Sequence, residues 1–169
     1  MTDSPGRRDN LAYTGMEFRR IARMNKHQLW SVAVAWCRDR ATAAAVLTRG
    51  LTEAWTVARQ CAVTQDDGVP SPEDPGTHEP PSSAFLTRVI YSCVLDAASG
   101  SLTAGRHRET GTQDTATGLS PQEISLYIMA SYSPLPREVV CELLDVPGDG
   151  SEILARVSQV LLRESGGHR

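Results

Sequence analysis

Apolar positions recur along this chain at helical spacing, with no sustained strand-like alternation. Phe18, Ile21, Ala22, Leu29, Val32, Ala33 and Trp36 make one stripe and predict a helix over residues 16–38, while Arg19, Arg20, Arg23 and Lys26 lie largely off it. After a turn at Arg38-Asp39-Arg40, the stripe Leu47, Leu51, Ala54, Trp55 and Ala58 predicts a second helix over 41–61. Gly50 falls in its middle, at a cost of about 1 kcal/mol relative to alanine, and serves either close helix packing or nothing beyond a weaker helix. Leu86, Val89, Ile90, Cys93, Val94 and Ala97 predict a third helix over 83–98.

The C-terminal part has the clearest punctuation. Ser120-Pro121-Gln122-Glu123 combines an N-cap serine, a proline at the first helical position and a glutamate three residues after the cap. Ile124, Tyr127 and Ile128 continue that helix, and Pro134 and Pro136 end it. A short pattern, Val139, Val140, Leu143 and Leu144, precedes the break Pro147-Gly148-Asp149-Gly150. Ile153, Leu154, Val157, Val160 and Leu161 then form a final helix. Two short helices, a compact turn and a closing helix outline a helix-turn-helix unit.

Polar stretches divide these patterns. Residues 1–15 read as a flexible N-terminal arm, and residues 64–83, rich in Pro, Gly, Ser and acidic side chains, as a disordered loop. Residues 99–118, rich in Gly, Thr and Ser, read as a linker. The expected fold is therefore all-α, with two small helical domains, 16–98 and 119–164, joined by a flexible linker and followed by a tail at 165–169.

The net charge of −3 hides an asymmetry. Arg7, Arg8, Arg19, Arg20, Arg23, Lys26, Arg38 and Arg40 crowd the start, whereas Glu138, Glu142, Asp145, Asp149 and Glu152 dominate the end. A nucleic-acid binder draws most of its affinity from a basic surface, so the acidic end counts against phosphate contact there. The four cysteines, Cys37, Cys61, Cys93 and Cys141, are dispersed and read as free buried thiols of a reducing cytoplasm. No spacing joins them to His27, His78 or His107 as a zinc site, so no metal or cofactor is expected. Neither a membrane-length apolar run nor a signal-peptide core is present, which predicts a cytoplasmic protein without membrane contact. With no nucleophile–base set or phosphate loop in view, a non-enzymatic role is expected.

The order of elements resembles the extracytoplasmic-function sigma factors from about Glu17 to Glu164. Residues 43–55, ending in Ala54-Trp55, are similar to the family's polymerase-contacting helix, and residues 84–96 resemble its Ala-Trp-Leu…Asp helix. Leu119-Ser120-Pro121 and residues 138–147 resemble the opening of its promoter-reading domain. The resemblance implies a regulator of bacterial transcription initiation that binds RNA polymerase core, at the beta-prime clamp helices, and promoter DNA. It places polymerase or partner binding at Val46, Leu47, Thr48, Arg49 and Leu51; Trp30, at the edge of its stripe, is added as a partner anchor. It places DNA binding at Ser151, Glu152, Arg156 and Gln159, with Arg106 and Arg108 standing in for the family's basic cluster.

The working surfaces depart from the family pattern. Ala44, Ala45, Thr48 and Arg49 stand where the family has acidic residues and glutamine, and Ala97-Ala98-Ser99-Gly100-Ser101 stands where it has basic residues. The alternative expectation is therefore a sigma-like interaction module that binds an anti-sigma factor or other protein without reading DNA.

Overall fold

Helices account for the regular structure of the described residues. This computed structural model describes residues 5–37, 39–64, 80–106 and 118–166, and among them there is no strand. The helices are α1 (Pro5–Met24), α2 (Lys26–Trp36), α3 (Arg40–Thr64), α4 (Ser83–Arg106), α5 (Pro121–Tyr132), α6 (Arg137–Leu143) and α7 (Ser151–Gly166). The all-α class expected from the apolar spacing is the class adopted.

Several boundaries differ from those expected. The single helix over 16–38 is two helices, because the chain bends at Asn25 (φ −96°, ψ 9°). The buried Asn25 side chain donates to the Ile21 carbonyl at 2.9 Å and accepts from the Tyr91 hydroxyl at 3.2 Å. A side-chain amide that takes a share of a helical carbonyl offers the backbone an alternative to a straight helix. The arm expected over 1–15 is helical from Pro5 onward, and Thr14 and Gly15 are buried. Gly15 lets α1 approach α3, since a Cβ there would sit 3.3 Å from the Trp55 ring. Helix α4 continues through 99–106, where a linker was expected. Extending a helix already anchored by packing costs far less than starting one, and Ala97 and Ala98 supply that anchor. Helix α7 also continues into the expected tail, as far as Gly166. The loop expected over 64–83 lies mostly outside the described residues, as do positions 107–117 of the expected linker.

Helices α3 and α4 form the most extensive pairing, with α1 and α2 packed across both. At Gly50 the two backbones approach so closely that a Cβ would lie 2.7 Å from the Val94 Cα. Phe18 meets Trp55 edge to face, with ring centroids 5.5 Å apart, which locks α1 onto α3.

The capping box at Ser120 forms as the sequence indicates. Ser120 Oγ accepts from the Glu123 amide, and the Glu123 carboxylate accepts from the Ser120 amide at 2.8 Å. Helix α6 stops earlier than the Pro-Gly break. Asp145 takes φ +52°, its amide donates to the Glu142 carbonyl, and the Val146 amide donates to the Cys141 carbonyl at 2.9 Å. That is the Schellman arrangement with aspartate in the left-handed position. Gly150 (φ +68°) immediately precedes α7 and is buried against Leu126 and Cys141, which seats the turn on α5 and α6.

The C-terminal helices do not keep a core to themselves. One buried cluster runs from Phe18 and Ile21 through Leu29, Ile90 and Tyr91 to Leu126, Met129, Val140 and Val146. Helix α5 packs along α2, and the Trp36 indole donates to the buried Ser125 hydroxyl at 2.7 Å. The two domains expected at 16–98 and 119–164 thus share one apolar interior. A second, smaller cluster, Ala33, Ala43, Val46, Ala97 and Ala98, joins α2, α3 and α4, with Trp30 and Trp36 against it.

Candidate functional site

Helix α3 has two sides. Ala43, Val46, Gly50, Ala54, Ala58 and Ala62 recur every three or four residues and are buried. Of the residues expected to meet a partner, Val46 is therefore interior, at 5 % exposure, and Leu47 and Leu51 are half-buried against the core. Trp30 is half-buried against the smaller cluster, which leaves part of its surface exposed. Burial counts against direct contact for Val46, while Leu47, Leu51 and Trp30 keep part of their surface exposed.

Thr48 and Arg49 do face outward, beside Ala44, Ala45, Thr52, Glu53 and Thr56. The threonine hydroxyls form a ladder: Thr48 donates to the Ala44 carbonyl at 2.8 Å, Thr52 to the Thr48 carbonyl at 2.8 Å, and Thr56 to the Thr52 carbonyl at 3.0 Å. With its donors spent on the helix, the face presents methyl groups. Arg49 pairs with Glu53 at 2.8 Å along its edge. The outcome is a surface of mostly short side chains with one exposed ion pair along it. Thr52 and Thr56 were missed in the sequence reading, although their four-residue spacing from Thr48 was a readable signal.

The expected DNA-contacting residues of α7 are on one exposed face: Ser151, Glu152, Arg156 and Gln159. Their electrostatics oppose phosphate. The Arg156 guanidinium pairs with the Glu123 carboxylate at 3.0 Å, so its charge is already met. Asp149 accepts from the Ser151 hydroxyl at 2.6 Å and from the Ser151 amide at 3.0 Å, and those bonds hold its carboxyl below the usual range. Glu152 adds a second exposed carboxylate. Arg106 is the last residue of α4, away in sequence from this face, and Arg108 lies outside the described residues.

Burial raises the thiol pKa of Cys37, Cys93 and Cys141, the direction that disfavours thiolate. None of the four cysteines is in a disulfide; Cys141 is buried, and Cys37, Cys61 and Cys93 are half-buried. Among the described residues no three His, Cys, Asp or Glu side chains come together as metal ligands, and no helix is long and apolar enough to cross a membrane.

Compared with family models, with characterised proteins and with solved structures, the chain matches none.

Proposed function

We infer that this chain is a sigma-factor-like regulator of bacterial transcription initiation that works by protein contact. Its exposed α3 face, Ala44, Thr48, Thr52 and Thr56 beside the Arg49–Glu53 pair, engages RNA polymerase core. The observation that carries this reading is the threonine ladder, because it leaves a rigid face ready for a partner helix on the helix that resembles the family's polymerase-binding one. Rigidity comes from behind, where Gly50 lets α3 settle directly on the α4 backbone. A face of short, internally bonded side chains loses little rotamer entropy when covered.

Helix α7 is given no DNA-reading role in this proposal. Arginine is the commonest specific reader of guanine, and here Arg156 is engaged by Glu123 while Asp149 and Glu152 face outward. The second reading keeps the fold and replaces polymerase by an anti-sigma-type protein; the same occupied arginine favours it over promoter recognition.

Binding of the purified protein to reconstituted polymerase core tests the first reading. The expected result is a measurable complex that tightens severalfold in the Arg49→Glu variant, which restores an acid to the clamp-helix surface. Failure of both proteins to bind core, with no promoter-specific transcript, removes the polymerase reading. For the DNA question, affinity for promoter duplex is expected to be weak and nearly flat with salt, since few phosphates are neutralised.

A further inference from the structure

Helix α1 carries a second stripe that the fold leaves unused. Its inward residues are Thr14, Phe18, Ile21 and, just past its end, Asn25, all buried. On the opposite side, Tyr13, Met16, Arg20 and Met24 follow at steps of three, four and four residues. Tyr13 is 47 %, Met16 62 % and Met24 65 % exposed. Methionine is ordinarily among the more buried residue types, and two so exposed on one face are not accounted for by the core. The two methionines, with the arms of Arg19, Arg20 and Arg23, line a shallow groove of about 320 Å³.

The spacing selects the kind of occupant. Steps of three and four residues are the seam that one helix offers another. Met16 and Met24 are separated by about 12 Å along the axis at about 1.5 Å per residue, a little over two turns. Apolar side chains seven or eight residues apart on a partner helix match that distance. Thioethers adapt to such side chains without a fixed shape.

The charge selects its sign. Arg20 is tied to Glu17 by two bonds, 2.5 and 2.7 Å long, and lies against the Met24 sulfur at 3.2 Å. Arg19 is exposed, uses its Nε on the Gly15 carbonyl at 3.0 Å and has no acidic partner among the described residues. Arg23 is exposed and has no acidic partner among the described residues. Two guanidinium groups thus flank the apolar seam on one side and call for carboxylates. Duplex nucleic acid would meet the arginines but has nothing to offer the two methionines. A bilayer would want a broader apolar face than two thioethers and a tyrosine.

We propose that the outer face of α1, the seam Tyr13–Met16–Arg20–Met24 flanked by Arg19 and Arg23, docks an acidic amphipathic helix of a partner protein. Leucine-like side chains of that helix fill the groove between Met16 and Met24, and its glutamates or aspartates pair with Arg19 and Arg23. This surface shares no residue with the α3 face and does not depend on it.

The test uses the full-length protein and a synthetic helical peptide of Glu, Ala and Leu, with leucines seven residues apart and glutamates along one flank. Fluorescence anisotropy is expected to show saturable binding. Arg23→Glu and the pair Met16→Ser/Met24→Ser each weaken it at least about tenfold, while Arg163→Ala on α7 leaves it unchanged. All these side chains are exposed, so circular dichroism should show the same helix content in every variant. A peptide with lysine for glutamate should not bind. Absence of binding, or binding insensitive to the α1 variants, overturns the proposal. So does tighter α1-dependent binding to duplex DNA or to phosphatidylserine vesicles than to the peptide.

Discussion

At the scale of single residues, Gly50 separates what sequence can and cannot decide. In the sequence it is an ambiguous mid-helix glycine; only the facing helix shows its purpose. A Cβ there would lie 2.7 Å from the Val94 Cα and 3.0 Å from the Cys93 carbonyl oxygen, and both are backbone atoms that no rotamer change can move aside. Gly50→Ala gains about 1 kcal/mol of helix propensity. Forcing the helices apart typically costs about 1 to 3 kcal/mol. The expected result is net destabilisation of up to about 2 kcal/mol, seen as a lower urea midpoint at unchanged slope. A midpoint equal to or above that of the parent would show that α3 and α4 are not in such close apposition. Asp145 makes a related point. The left-handed residue that ends α6 was not legible, because the nearby Gly148 and Gly150 offered more obvious candidates and aspartate adopts that conformation only when the local bonds repay it.

Elements were legible where local chemistry decides them. The capping box at Ser120, the stripes of α3 and α4 and the start of α7 all follow from near neighbours in sequence. The break at Asn25 was not legible, since it depends on a tyrosine on α4. The outer seam of α1 is hidden for a different reason: the polar composition of residues 1–15 reads as an arm, which separates Tyr13 from Met16 and Met24. One element-scale tie has a pH signature. Glu17 of α1 accepts from Arg20 and from the Ser83 hydroxyl, at 2.5 Å, where α4 begins. First the Arg20 bond and then the Ser83 bond hold its carboxyl at about 2, against an ordinary 4.5. A lowered folded-state pKa contributes stability that is complete above the unfolded value and fades as pH falls toward the folded one. The melting-temperature gap between the parent and Glu17→Gln should therefore be constant from neutral pH down to about 5 and close between 4.5 and 2. A gap that persists unchanged at pH 2 would mean that the carboxylate is not what joins α1 to α4.

For the molecule as a whole, the sequence predicts two helical domains on a flexible linker, and in the structure α5 packs along α2 within one buried cluster. Polar composition between two apolar patterns reads as a tether whether or not the patterns later share an interior. Neither Ser125 nor Trp36 carries any local sign of its partner 89 positions away. The consequence is cooperative unfolding. The three tryptophans, Trp30, Trp36 and Trp55, all precede α4, so their fluorescence reports chiefly on the N-terminal helices, with Trp36 also reporting its contact with α5. Leu126 is fully buried on α5, inside the shared cluster. Leu126→Ala removes that packing at a cost of about 2 to 5 kcal/mol. With one interior, the tryptophan transition and the far-ultraviolet helix signal should shift together to the same lower denaturant concentration, as a two-state molecule requires. With two independent interiors, the tryptophan transition would stay at the parent midpoint while part of the helix signal melted early. Coincident, equally displaced transitions are the expected outcome, because Trp36 touches α5 directly and cannot remain native once α5 has left.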